Sequence, residues 1–276
     1  MELKDSMNVE IELLVQAVYL RFQYDFRLNS RSSLRRRLEQ AMVRFQCESI
    51  TKLQEKIIHE KNFFSQLIPY LTVNTTEMFR DPTYFRSLRE NAFPYLQTFP
   101  SLKIWIAGCS TGEEVISMSI LLRELGMKKY LIYATDINPM NLEVARRGIY
   151  PLDVVQKASR NYQLAGGLTS LSDYYRAAYD SAQFDTSLLS NVVFSDHSLA
   201  TDTVFSETHF ISCRNVLIYF ERALQDRALT LFKDSLIRDG YLGLGSKESI
   251  LFSVIKNDFL VVDQENRIYQ KRSGSI

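Results

Sequence analysis

The stretch Ala107-Gly108-Cys109-Ser110-Thr111-Gly112-Glu113-Glu114 has the composition of a ligand cradle. It follows a short apolar strand, and its small residues let the backbone pass close under a ligand while the next helix presents its N-terminus there. Asp136 ends the following strand, where a carboxylate can take both hydroxyls of a ribose. Glu113 and Glu114 in the first helical turn suit the helix dipole but would repel a pyrophosphate. A cationic ligand with a ribose and no phosphate fits better, and S-adenosylmethionine is such a ligand. A tight turn followed by a surface acid is the plainer account, but the turn, the acids and Asp136 together favour a ligand site.

Gly108-Cys109-Ser110-Thr111-Gly112 also matches the G-x-S-x-G elbow of serine hydrolases. The elbow should follow several strands, however, and here it follows the first. His197 and His209 come later in the chain, but no acid-bearing loop is placed to orient either one, and no oxyanion motif of the His-Gly-Gly-Gly type exists. A Ser110 hydrolase is therefore the weaker reading.

Two further clusters carry polar chemistry. Asn74-Thr75-Thr76-Glu77-Met78-Phe79-Arg80-Asp81 sets polar residues beside an arginine that can grip a cofactor carboxylate and a substrate carboxylate together. A helix-capping box with an ordinary surface arginine accounts for it equally well. Cys213-Arg214-Asn215-Val216-Leu217-Ile218-Tyr219-Phe220 follows a strand and so lies at the same sheet edge as the glycine turn. An Asn there can read an adenine edge or position a substrate. Tyr219 can offer a phenolic donor and an aromatic face to a sulfonium cation, whereas Phe220 reads as core.

The elements that must hold these residues are legible from periodicity. Ile11, Leu14, Val15, Val18 and Phe22 recur at helical spacing, as do Leu34, Leu38, Ala41, Met42 and Phe45, and two shorter helices follow. Residues 1–72 form a small helical domain. Residues 73–276 alternate strand and helix: strands at 103–107, 131–135, 192–195, 209–213 and 241–245, helices at 113–125, 139–147 and 222–237, and a closing hairpin near 259–270. That order gives an α/β fold, an open, doubly wound, Rossmann-like sheet of seven strands. Residues 150–190, with Gly166-Gly167, interrupt the rhythm as an inserted subdomain.

Composition narrows the classes. The 276 residues are 46% apolar with a net charge of +1, so no global polyanion-binding signal exists and nucleic acid is not an expected partner. No signal peptide, membrane span or lipidation pattern is visible, and direct membrane insertion is not expected. Cys47, Cys109 and Cys213 suit free thiols in a reducing cytoplasm rather than a disulfide framework or a metal site.

Taken in order, these blocks resemble the chemotaxis receptor methyltransferases, the CheR family. The quoted strings at 74–81, 109–114 and 213–220 carry the likeness, joined by Ala134-Thr135-Asp136-Ile137, by Ala145-Arg146-Arg147-Gly148-Ile149-Tyr150, and by Gly240–Gly245 with Glu248-Ser249. The resemblance implies an S-adenosylmethionine-dependent methyltransferase with an N-terminal helical domain and a small β-subdomain inserted near 150–190. It implies methyl transfer to glutamate side chains of the cytoplasmic helical domains of bacterial chemoreceptors, yielding glutamate methyl esters and S-adenosylhomocysteine, with no metal. By motif position, Asn74, Thr76, Arg80, Gly108, Glu114, Asp136, Ser198, Leu199, Asn215 and Val216 would bind the cofactor, and Arg80 and Tyr219 would face the reacting carboxylate. The chain departs from the family at Val115-Ile116, where Pro-Tyr is usual, at Ser198, where Asn is usual, and at Lys247, where Ser is usual in Gly-His-Ser-Glu-Ser. Those departures motivate a second reading, a cofactor-binding regulatory module with little catalysis.

The basic run between Arg27 and Arg44 holds six arginines against Glu39. Arg36, Arg37 and Arg44 are read as projecting from the apolar stripe of their helix, either as a solvated face or as a docking surface for an acidic receptor bundle.

Overall fold

The computed structural model describes residues 5–274, which divide into two compact units. The first contains residues 5–74, 198–202 and 219–228. Four helices build most of it: α1 (Ser6–Phe22), α2 (Arg31–Phe45), α3 (Ile50–His59) and α4 (Phe63–Leu71). Asp5 caps α1 by accepting from the Met7 amide, and Ser49 caps α3 by accepting from that of Lys52. Each helix buries one stripe, for example Ile11, Leu14, Val15 and Val18 on α1. Side chains of that size each contribute about 1.5–3 kcal/mol when removed from water. Phe22 stacks on Phe64 with centroids 4.2 Å apart, tying α1 to α4. The segment around Tyr219 belongs to this unit through backbone bonds from Ser30 N to Tyr219 O and from Glu221 N to Leu28 O, each 2.8 Å.

The second unit holds the sheet. After α5 (Pro82–Ser87), a π turn and α6 (Phe93–Leu96) come β1 (Leu102–Ala107), α7 (Glu113–Glu124), β2 (Tyr130–Asp136) and α8 (Pro139–Arg147). An insertion follows: β3 (Ile149–Pro151), α9 (Leu152–Leu164), β4 (Tyr175–Ala178) and β5 (Ser181–Phe184). The main sheet then resumes with β6 (Val192–Asp196) and β7 (Thr208–Cys213). Next come α10 (Arg222–Ser235), which starts in the first unit and ends in the second, β8 (Leu236–Leu244), β9 (Phe259–Asp263) and β10 (Ile268–Lys271).

Seven strands lie in the order β6-β2-β1-β7-β8-β10-β9. The first five are parallel, and β10 runs against both of its neighbours. Strand order therefore reverses between β1 and β7, the switch point where an open α/β sheet binds its ligands beyond the carboxyl ends of the strands. Ile106 pairs with Ser212 there, so the glycine turn and the Cys213–Phe220 string leave the sheet side by side. Ile104, Ile106, Ile132, Ala134 and Phe210 are all buried, as expected of parallel strands covered on both faces.

The insertion forms its own antiparallel sheet, β3-β5-β4. It also contains the 13-residue helix α9, which the Gly, Ser and Thr content of this region had hidden. Glu124 at the end of α7 anchors it: the carboxylate accepts from Arg89 Nη2 at 2.5 Å, Leu168 N and Tyr174 OH at 3.0 Å each, and Tyr162 OH.

Candidate functional site

Beyond β1 the chain turns through Gly108 (φ +74°) and Gly112 (φ +93°), a left-handed backbone that side chains resist. A Cβ on Gly108 would stand 2.5 Å from Val216 Cγ2, and one on Gly112 would stand 2.7 Å from Ala145 Cβ. Both glycines are required for the turn to sit this close to its neighbours. Asp136, at the end of β2, reaches across to it. Its carboxylate accepts from Ser110 N at 2.9 Å, Asn138 N at 2.8 Å and Asn141 Nδ2 at 3.2 Å. Burial pushes this carboxyl up while the three donors pull it down. Asp136 thus shapes the turn, and three bonds leave acceptor capacity on a carboxylate with about four lone-pair sites.

The two acids of α7 diverge. Glu113 is buried, which pushes its carboxyl up, and its two oxygens share the Thr111 hydroxyl, whose Oγ1 lies 2.9 and 2.7 Å away. Glu114 instead turns toward β7, where Ser212 Oγ donates to it at 2.5 Å and Arg214 Nη1 at 3.1 Å. The other outer nitrogen of Arg214 donates to Arg80 O at 2.6 Å and Asp81 Oδ2 at 2.8 Å. One guanidinium thereby brings the Arg80 turn to the first turn of α7. That turn holds Phe79 (φ 52°) and Asp81 (φ 54°) in the left-handed region, which for a bulky residue costs on the order of 1–3 kcal/mol. Ser117 Oγ accepts from Phe79 N at 2.9 Å and fixes it from the other side. Arg80 itself is half-buried and donates from Nη1 to Thr75 O at 3.3 Å; Thr76 is half-buried in the same segment.

Asn215 (φ 60°) and Val216 open a loop that no strand supports. Glu248 supports it instead. This buried carboxylate accepts from the amides of Asn215 (2.9 Å), Val216 (2.9 Å), Leu217 (2.7 Å), Ile218 (3.3 Å) and Gly245 (2.7 Å). Burial pushes it up, against five donors that favour the charged form. Neither Arg214 nor Glu248 was given a role from sequence. For Arg214 the available signal was a charged residue at a strand end opening an apolar string, where only a paired charge survives burial; Glu248 sits in the polar run Gly245-Ser246-Lys247-Glu248-Ser249, where nothing marks it.

Ser110 Oγ is buried and has no hydrogen-bond partner among the described residues. No histidine activates it: His209 Nδ1 accepts from Lys103 N at 3.1 Å, and the His197 ring lies 5.2 Å from that of Trp105. The hydrolase arrangement is absent from these residues. An orphaned hydroxyl beside Asp136, two acids and a glycine turn instead fit a ribose-bearing cation. Burial pushes the Cys109 and Cys213 thiols up, so neither is a nucleophile at neutral pH.

Asn74, Ser198, Leu199 and Tyr219 belong to the first unit. Asn74 Oδ1 accepts from Thr72 Oγ1 at 3.1 Å, Ser198 N donates to Asp202 Oδ2 at 2.8 Å, and Leu199 is buried. The Tyr219 ring centroid is 5.9 Å from the Arg37 guanidinium. Arg37 corrects the docking set. It is 6% exposed, donates from Nε to Ser33 O at 3.0 Å and from Nη1 to Leu71 O, and burial lowers its pKa to about 10. It lies three residues after Leu34 and four before Ala41, on the buried stripe itself. Arg36 and Arg44 are exposed.

Among the described residues, no cluster of three or more His, Cys, Asp or Glu side chains could hold a metal ion, and no helix is long and apolar enough to cross a membrane. The S-adenosylmethionine-binding domain of the CheR methyltransferases matches residues 74–268, and their all-alpha domain matches residues 9–72. A Pseudomonas putida protein provisionally named methyltransferase Cher3 is 51% identical over 267 residues, 96% of this chain and 98% of that one. Chemotaxis protein methyltransferase 2 of Pseudomonas aeruginosa is 31% identical over 80% of this chain and 78% of its own. Among solved structures, an S-adenosylmethionine-bound amino pentose methyltransferase from Micromonospora echinaspora shares 12% identity at a TM-score of 0.35, over 68% of this chain and 55% of that one. That likeness adds nothing to the family match. The chain belongs to the CheR methyltransferase family, and its cofactor is S-adenosylmethionine.

Proposed function

We propose that this methyltransferase esterifies glutamate side chains on the helical domains of bacterial chemoreceptors. The observation that carries the reading is the bond pair from Arg214 to Arg80 O and Glu114, which sets a second arginine beside the cofactor turn at the sheet's switch point. Asp136 takes a ribose hydroxyl with the one acceptor site that its three bonds leave, Gly108 and Val216 line the approach, and the acids of α7 favour a cation. Asn74, Thr76, Asn215, Ser198 and Leu199 are proposed as further cofactor contacts from their motif positions, with Ser198 a shorter reach than the family's Asn.

The sulfonium supplies an electrophilic methyl group. A glutamate carboxylate, with an ordinary pKa of ~4.3, arrives ionised and needs no general base. Its oxygen forms the new bond to the methyl carbon as the carbon–sulfur pair leaves with sulfur, giving the ester and S-adenosylhomocysteine. The protein's work is alignment and exclusion of water. Arg80 holds the carboxylate, Tyr219 fixes its angle, and exposed Arg36 and Arg44 draw in the acidic bundle.

The test is transfer of a labelled methyl group to receptor membranes, followed by base-labile release of methanol. Label on receptor glutamate in wild type, and most of it lost in Arg80→Ala, is expected. Turnover on another acceptor with none on receptors would overturn the substrate; tight cofactor binding with no turnover on any acceptor would favour a regulatory module.

A further inference from the structure

We infer that Arg214 is the positioning residue for Arg80: its buried guanidinium, held by Glu114 and Asp81, sets the direction in which Arg80 is presented. The inference rests on the reading of Arg80 as the holder of the acceptor carboxylate.

The Arg214 side chain is 1% exposed, and its charge is gripped by two carboxylates on different elements. Glu114 comes from the start of α7, and Asp81 precedes α5. Between them the same guanidinium donates to the Arg80 carbonyl. The Nε–H has no acceptor among the described residues, so the two outer nitrogens do all the holding. An aromatic floor completes the seat: the guanidinium carbon lies 4.1 Å from the Tyr84 ring centroid and 5.6 Å from that of Phe85. Tyr84 is fixed in turn by the Ser212 hydroxyl at 2.8 Å, and Ser212 donates to the second oxygen of Glu114. A planar fork can serve two carboxylates and a carbonyl while lying on a ring; a lysine ammonium cannot.

This seat acts on a backbone that would not otherwise hold its shape. Phe79 and Asp81 flank Arg80, and both are left-handed. Such residues persist only where their surroundings over-determine them, and they gather where direction matters. Here Ser117 holds the amide before Arg80, and Arg214 holds the carbonyl and the carboxylate after it. An ion trio around a buried guanidinium that served packing alone would have no need to bond the one residue whose side chain is to meet substrate, nor to draw on a carboxylate that is 39% exposed.

Asp81→Asn is the variant that separates these cases. Asparagine tolerates the left-handed region as well as aspartate does, so the backbone preference survives while the charge on Arg214 loses one partner. Single-turnover methylation is measured in wild type, Asp81→Asn, Arg80→Ala and the double variant, with thermal unfolding alongside. Asp81→Asn is expected to slow methyl transfer by about tenfold to a hundredfold, the scale of a 1 Å misplacement. Asp81→Glu should recover part of that rate, and the Asp81→Asn loss should vanish in the Arg80→Ala background. Arg214→Lys should copy Asp81→Asn; should it fail to fold, the Asp81 series decides alone. An equal loss in both backgrounds, or none in either, overturns the inference and leaves Arg80's own role standing. A wild-type rate in Arg80→Ala removes that role first, and the inference with it.

Discussion

In the proposed function Asp136 has two duties that a single substitution separates only in part. Its carboxylate holds Ser110, Asn138 and Asn141, and its remaining acceptor capacity is assigned to the ribose. A charge-assisted bond of that kind is worth ~1.5–3 kcal/mol, so Asp136→Ala should weaken S-adenosylmethionine binding on the order of tenfold to a hundredfold. Calorimetric titration of a folded variant measures it, and an unchanged dissociation constant takes Asp136 out of the site. Tyr219→Phe keeps the ring against Arg37 and deletes only the hydroxyl. It should lower turnover and leave cofactor affinity intact, so a wild-type methylation rate would deny the hydroxyl any catalytic part. The residues legible in the sequence were those whose meaning is local, a carboxylate ending a strand or a glycine inside a turn. Arg214 and Asp81 stand 133 positions apart, and no periodicity joins them. Arg37 was legible and misread: a helical stripe counted by threes and fours from Leu34 and Ala41 includes it.

At the scale of elements, apart from β8, which begins at Leu236 rather than 241 because Arg238 and Asp239 break its apolar run, strands and crossover helices followed their patterns to within a residue or two, because buried parallel strands are short, dense apolar runs. The insertion did not. Val155, Ala158 and Tyr162 bury one face of α9 at helical spacing, but the stripe is thin and lies beside Gly166-Gly167, so the glycines dominated. What fastens that helix is also non-local. The Glu124 side chain, 3% exposed, joins Arg89, Tyr162, Leu168 and Tyr174. Glu124→Ala strands the Arg89 charge and leaves the Tyr162 and Tyr174 hydroxyls only their bonds with Thr169. Removing one partner of a buried pair costs about 3–5 kcal/mol, and urea unfolding should find a loss of that size. A loss under about 1 kcal/mol, the ceiling for an exposed ion pair, would show that water reaches this cluster.

Across the whole molecule the charge is nearly balanced, at +1, which makes a one-signed patch on one helix conspicuous to an acidic partner. The structure trims that patch. Arg27 pairs with Asp25, exposed Arg35 with Asp5 and Glu39, Arg31 is half-buried and Arg37 is buried, which leaves Arg36 and Arg44 to face solvent without an ion pair among the described residues. Receptor methylation should slow as added salt shortens the Debye length below its physiological ~8 Å, while cofactor affinity stays level. The double variant Arg36→Glu, Arg44→Glu should slow methylation through a weaker encounter and flatten the salt response; wild-type rate and salt slope together would reduce the face to solvated surface. The carboxylate of Glu248 reaches across the molecule in another sense, that of time. A ribosome makes the loop at 215–218 some 30 residues before the acid that fastens it, so the loop stays untied until β8 and the turn after it, from Gly245 to Glu248, have emerged and docked. Once tied, it opens only when that late strand opens. Deuterium exchange should therefore find the amides of Asn215 to Leu217 as slow as those of β7, with or without cofactor, although the sequence there reads as irregular backbone. Fast exchange, comparable to that of an unbonded, exposed amide, would show that the loop breathes free of its clamp.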